Sequence, residues 1–178
     1  RPVLLFASSR EGEEAMFIDA LKALGDAATT VQWLVVPRHP QRFAEVENLL
    51  GKAGFAVSRR SQWGQRPPVQ SGAIWLGDSL GEMPLYYGLA AAALMGGSFA
   101  PLGGQNLIEA AACGCPVIVG PHTYNFAQAT EDALACGAAR RIDEAHHVGE
   151  WEVNRLCVGW EDIRTTTAKH GPVLHLVT

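Results

Sequence analysis

Five short stretches of this 178-residue sequence gather the side chains able to hold or move charge: SSREGEE (8–14), PRHP (37–40), GDSLGEM (77–83), GGSFAPLGGQN (96–106) and GPHTYN (120–125). Between them they carry Ser9, Arg10, Arg38, Glu82, Gln105, Asn106, His122 and Asn125, and Glu109 follows one helical turn after the fourth. An arginine held beside free backbone N–H groups suits a phosphate or carboxylate. GGQN ahead of an apolar helical run leaves such N–H groups pointing outward. Each feature also has a purely structural use. Asn106 is a good helix cap and Glu109 completes a capping-box-like pair with it. Asp78 or Ser79 can cap the next helix, Asn125 can cap the one after His122, and a lone surface arginine is usually solvated.

What separates these uses is where the elements put the five stretches. PVLLFASS (2–9) reads as a buried strand, and a helix follows over 11–24 with Ala15, Ile18, Leu21 and Leu24 at helical spacing. TVQWLVVP (30–37) is a second strand, and 41–54 a helix with Phe43, Val46, Leu49 and Leu50 on one face, stopping at glycine. FAVSRR reads as an edge strand and SQWGQRPPVQSG (61–72) as a Pro-rich loop. Then AIWLG, AALMGG, PVIVG and AARRID alternate as strands with helices in GEMPLYYGLA, QNLIEAAACG and NFAQATEDALACG. Strands joined by helices of this length must be parallel, with helices on both faces. The expectation is an α/β, Rossmann-like, doubly wound parallel sheet of six or seven strands. All five polar stretches then fall at the carboxyl ends of the strands, where open parallel sheets bind ligands. The amino-end turns GDAATT and KAG look like plain connectors. Domain assignment is 1–143 for this fold and 144–178 for a C-terminal helix (EAHHVGEWEVNRLC) and tail of the same domain.

Composition removes several classes. A net charge of −4 does not fit a nucleic-acid binder, whose footprint is basic. Cys113, Cys115, Cys136 and Cys157 form no C-x-x-C pair, so buried free thiols are expected rather than a zinc or redox site. No apolar run approaches the ~20 residues that span a bilayer. The chain opens directly on a strand with no leader, which reads as the start of a domain cut from a longer protein.

VVPRHPQRF, GDSLGEMPLYYGLA and GGSFAPLGGQNLIEAAACGCPVIVGPHTYNF, in that order, resemble the C-terminal domain of the 3-deoxy-D-manno-octulosonic acid (Kdo) transferases. That family's pattern is V-P-R-H-P-x-R-F, G-D-[ST]-x-G-E-[ML], G-G-S-x-x-x-x-G-G-H-N-x-x-E and G-P-H-x-x-N-F. ASSREGEE is similar to its A-S-T-H-x-G-E-E. The resemblance covers about residues 2 to 142. It implies half of a GT-B glycosyltransferase that moves Kdo from CMP-Kdo to a lipid A precursor, inverting and without metal or cofactor. The partners it implies are CMP-Kdo, the lipid A precursor reached through an N-terminal domain, and the surface of the inner membrane at its cytoplasmic face, this domain itself being soluble and cytoplasmic. By motif, CMP falls to Pro37, Arg38, Gly81, Glu82, Met83, Asn106, Leu107, Ile108 and Glu109. A wider donor rim would include Ser9, Arg10, Gly104, Gln105, His122 and Asn125. No catalytic residue is expected here, because the family's general base lies in the N-terminal domain. Arg10 and Gln105 stand where the family pattern has histidines, and Ala110-Ala111 where it has Pro-Ala. The alternatives are a GT-B enzyme using a UDP-sugar and a non-catalytic nucleotide-binding module.

Overall fold

The structure, a computed structural model, describes residues 1–64 and 72–142. The described residues form seven strands and five α-helices. They are β1 Val3–Ser9, α1 Glu13–Leu24, β2 Gln32–Pro37, α2 Phe43–Lys52, β3 Val57–Arg59, β4 Ile74–Leu76, α3 Met83–Leu89, β5 Ala92–Met95, α4 Ile108–Ala112, β6 Val117–Val119, α5 Ala127–Ala135 and β7 Ala139–Arg141. One sheet runs β3-β4-β2-β1-β5-β6-β7, and every neighbouring pair is parallel. FAVSRR is the edge strand its composition suggests. The GDAATT connector is wound into a 3-10 turn, Gly25–Thr30. The helix proposed after residue 143, its tail and Cys157 lie outside the described residues.

Strand alternation builds two cores, one on each face. Leu4, Phe6, Val35 and Leu94 pack with Phe17, Ile18 and Leu21 of α1 and Val46 and Leu50 of α2. Leu5, Leu34, Met95 and Val117 pack with Tyr86 and Tyr87 of α3, Ala110 of α4 and Ala133 of α5. Helices therefore cover both faces, as the doubly wound pattern requires. One face of α1 is shifted from the sequence expectation. Ala15 is exposed, and the buried stripe runs through Glu13, Glu14, Phe17, Ile18 and Leu21. Two carboxylates are thus turned into the protein at the start of α1, directly below the rim.

The chain leaves β1 toward β2 on one side and reaches β5 on the other, so the sheet's topological switch lies at the carboxyl end of β1. A bulge at Ser8, whose φ is +55°, breaks the β1–β2 register between Ala7 and Ser9. Non-glycine backbone in that region stores on the order of 1–3 kcal/mol and is held only where neighbours fix it. Here the neighbours are the rim loops.

Candidate functional site

Glu13 holds the β5 loop. Its buried carboxylate accepts the N–H of Gly97 at 2.7 Å, Arg10 at 2.9 Å, Phe99 at 3.1 Å and Ala100 at 3.3 Å. Burial pushes this carboxyl up from its ordinary pKa, while the four N–H groups pull the other way. Glu14 holds the next layer. It accepts the Ser9 hydroxyl at 2.7 Å and both terminal nitrogens of Arg42 at 2.8 and 3.2 Å, and Arg42 also reaches Glu45 at 3.0 Å. Ser9 is therefore buried and committed inward, not part of an open rim. Arg10 presents its main chain to Glu13 and its guanidinium to Glu11 at 3.3 Å.

Arg38 follows β2, and its N–H bonds the Ser9 carbonyl at 3.0 Å. Its exposed guanidinium donates from Nε to Gln105 Oε1 at 3.1 Å, bridging the end of β2 to the β5 loop across β1. The other rim arginines have carboxylate partners: Arg10 has Glu11, Arg42 has Glu14, Arg59 has Asp78 and Arg60 has Glu82. Arg38 has none among the described residues. Pro37 is buried beneath it, paired with Ser9.

The loop after β4 is tied to β3. Asp78 accepts Arg59 Nε at 2.7 Å, Ser61 N–H at 2.7 Å and the Ser61 hydroxyl at 2.5 Å, so it anchors the edge strand and does not cap α3. Burial raises the Asp78 carboxyl, but these donors outweigh it and hold the carboxyl below its usual value. Glu82 is also occupied. It accepts from the Ser79 hydroxyl, from Tyr86 OH at 3.0 Å and from Arg60 Nη2 at 2.7 Å, and the Ser79 bond leads the lowering of its pKa. Burial raises the Tyr86 hydroxyl to about 12, so it stays a neutral donor. Gly81 adopts φ +78° on the exposed turn, a conformation that favours glycine. With Glu82 committed, residues 81–83 have mainly backbone to offer a ligand.

The fourth and fifth stretches interlock. Gly104 N–H bonds Gly97 O at 2.7 Å, His122 N–H bonds Ser98 O at 3.0 Å, and Gly120 N–H bonds the Ser98 hydroxyl at 2.8 Å. Asn125 donates from Nδ2 to Leu102 O at 3.1 Å and from its N–H to Gly103 O at 3.0 Å. It ties two loops together and does not cap α5, which begins at Ala127. The His122 ring, half-buried, makes no hydrogen bond among the described residues.

Asn106 and Glu109 do not form the capping box. Asn106 Oδ1 accepts the N–H of Ile108, two residues on, and α4 starts only at Ile108 and runs five residues. So short a helix contributes little dipole to an anion. Leu107 is buried against the sheet and Ile108 half-buried. Glu109 is exposed, and its carboxylate accepts no hydrogen bond among the described residues. Among the described residues the rim thus presents a cation at Arg38 and a carboxylate at Glu109, neither with an ion-pair partner, and glycine-rich backbone between the β4 and β6 loops.

Other features do not compete with the rim. A cavity at the amino edge, beside Arg1, Trp33 and Gly72, has about 130 Å³, below the ~300 Å³ of ordinary ligand sites. Among the described residues no three His, Cys, Asp or Glu side chains are grouped to hold a metal. Of the described cysteines only Cys115 is buried, its thiol raised to about 12 by burial, while Cys113 is half-buried and Cys136 exposed. Sequence reasoning passed over Glu13, Glu14 and Arg42, and it did not pair Gln105 with Arg38. A signal for the two acids was present: they share helical phase with Phe17, Ile18 and Leu21.

This seven-stranded parallel sheet with helices on both faces is the fold of a GT-B glycosyltransferase half. No family model matches the chain. It is 54% identical over 159 residues to the 3-deoxy-D-manno-octulosonic acid transferase of Bordetella pertussis, a match covering 88% of this chain and 37% of that protein. It is 40% identical over 126 residues to the transferase of that name from Haemophilus influenzae, covering 71% of this chain and 29% of that one. Among solved structures it matches the C-terminal CMP-Kdo binding domain of WaaA from Acinetobacter baumannii, with TM-score 0.81, 28% identity and coverage of 95% and 88%. The chain belongs to the Kdo transferase family, as the counterpart of its C-terminal domain, and spans 37% and 29% of the length of these two curated relatives.

Proposed function

We propose that the chain is the donor-binding domain of a Kdo transferase and that its rim holds CMP-Kdo. The observation that carries this is Arg38, an exposed guanidinium with no carboxylate partner among the described residues, fixed by Gln105 over the end of β1. Its two remaining nitrogens are available to the donor phosphate. In this reading Glu109, exposed and without a hydrogen bond among the described residues, accepts from the ribose hydroxyls, and the main chain of Gly81 to Met83 takes the base. In transfer, an acceptor hydroxyl attacks the anomeric carbon of Kdo as the bond from that carbon to the CMP phosphate oxygen breaks. Negative charge grows on the phosphate, and Arg38 stabilises it where it develops. The attacking proton passes to a general base in the remainder of the enzyme, outside this chain. Inversion, independence from metal or cofactor, the lipid A precursor as acceptor, and work at the cytoplasmic face of the inner membrane belong to the same proposal. Among the described residues no helix is long and apolar enough to cross a membrane.

Arg38→Ala tests the proposal. Loss of a charge-assisted hydrogen bond should weaken CMP binding by about 1.5–3 kcal/mol, with the melting temperature unmoved because the side chain is exposed. Unchanged CMP affinity by calorimetry would return Arg38 to the role of a solvated surface cation.

A further inference from the structure

Gln105 has a narrower job than its position on a glycine-rich loop implies. Its Oε1 accepts from Arg38 Nε at 3.1 Å. Its Nε2 rests against Gly97, where a Cβ would lie only 3.1 Å away. Gly97 has φ +72°, its N–H is held by Glu13 at 2.7 Å, and its carbonyl accepts Gly104 N–H at 2.7 Å, one residue before Gln105. The amide is therefore seated against buried Gly97, whose N–H and carbonyl are both bonded, and its carbonyl accepts from the guanidinium. Engaging Nε alone leaves the two terminal nitrogens of Arg38 without a hydrogen bond among the described residues, and together they can form end-on bidentate bonds with phosphate or carboxylate. A neutral acceptor fixes the fork without cancelling its charge. A carboxylate in the same place would hold the arginine equally well and neutralise it.

We infer that Gln105 is a positioning residue that aims Arg38 at the anionic group of the bound nucleotide while preserving its charge. This rests on the donor-site reading of the rim. The neutrality of the acceptor is the point, and it separates aiming a cation from merely bracing two loops.

The test titrates CMP into the 178-residue chain carrying Gln105→Met, Gln105→Glu or Arg38→Ala, with melting temperatures measured alongside. Glutamine 105 is partly exposed, so all three variants should fold. Met removes the acceptor at nearly constant volume, and CMP affinity should fall roughly three- to tenfold. Glu keeps the acceptor and strengthens its bond to Arg38, so stability should hold or rise. CMP affinity should nevertheless fall further than in Gln105→Met, toward the level of Arg38→Ala. The inference is overturned if Gln105→Glu binds CMP as the native chain does, which is rescue by a brace. It is overturned equally if Gln105→Met binds unchanged while Arg38→Ala is weakened. Unchanged binding in Arg38→Ala would instead overturn the donor-site reading beneath it.

Discussion

Glu13→Gln exchanges one carboxylate oxygen for an amino group inside a ring of four backbone donors. The amide can keep one acceptor oxygen, and the best choice keeps the shorter pair, Gly97 N–H at 2.7 Å and Arg10 N–H at 2.9 Å. The other pair, Phe99 and Ala100 at 3.1 and 3.3 Å, then faces an NH₂ that cannot accept. Two bonds to a charged acceptor at the low end of their range, ~1.5 kcal/mol each, put the loss near 3 kcal/mol. For a chain of this size that is roughly 6–12 °C in melting temperature, where an ordinary surface change stays within about 0.5 kcal/mol. Urea unfolding followed by tryptophan fluorescence, with calorimetry in parallel, reads the change directly. A loss below about 1 kcal/mol would refute the reasoning. It would mean that burial keeps Glu13 protonated, so that glutamine replaces it at little cost, and that the carboxylate does not tie the rim.

Two further outcomes follow from neighbouring carboxylates. Glu109→Gln should leave stability unchanged, since Glu109 is exposed and accepts no bond among the described residues. It should weaken CMP binding by ~1–2 kcal/mol, because an amide retains one acceptor for two ribose hydroxyls; a calorimetric affinity equal to the native one would count against that contact. Asp78 has its folded-state pKa held below the unfolded value, ~3.9, so its contribution is present above that value and is lost as pH falls through the folded pKa. Asp78→Asn should therefore cost about 2 kcal/mol at pH 7, with the native and variant stability curves converging in acid. Parallel curves from pH 7 to pH 2 would show that Asp78 carries no linkage.

Most of the fold was legible because its signals are local. Apolar runs such as VLLFA after Pro2 and WLVV before Pro37 read as buried strands in a chain that alternates them with helices. Even the three-residue edge strand Val57–Arg59 was visible. The location of the rim followed from parallelism alone. Its wiring did not. Glu13 and Glu14 look like ordinary first-turn acids, and only the packing of α1 shows that they point inward. Asn106 and Asn125 look like caps, but the positive-φ glycines at 103 and 104 spend several residues in turns, so α4 starts late and Asn125 meets the loop before it. Arg38 and Gln105 are 67 residues apart and meet only because β2 and β5 flank β1. No local pattern encodes that pairing.

The central claim is that the carboxyl rim of this sheet is a site for a cytidine nucleotide, and titration of the chain with CMP, CDP and UDP by calorimetry tests it most directly. CMP should bind with measurable heat and at least about tenfold more tightly than UDP, since each 1.4 kcal/mol of lost base recognition is a factor of ten. The preference for CMP over UDP should survive in Arg38→Ala while every affinity drops. UDP binding as tightly as CMP would contradict the account and point to a UDP-sugar donor. Absence of binding by all three nucleotides would contradict the donor site itself.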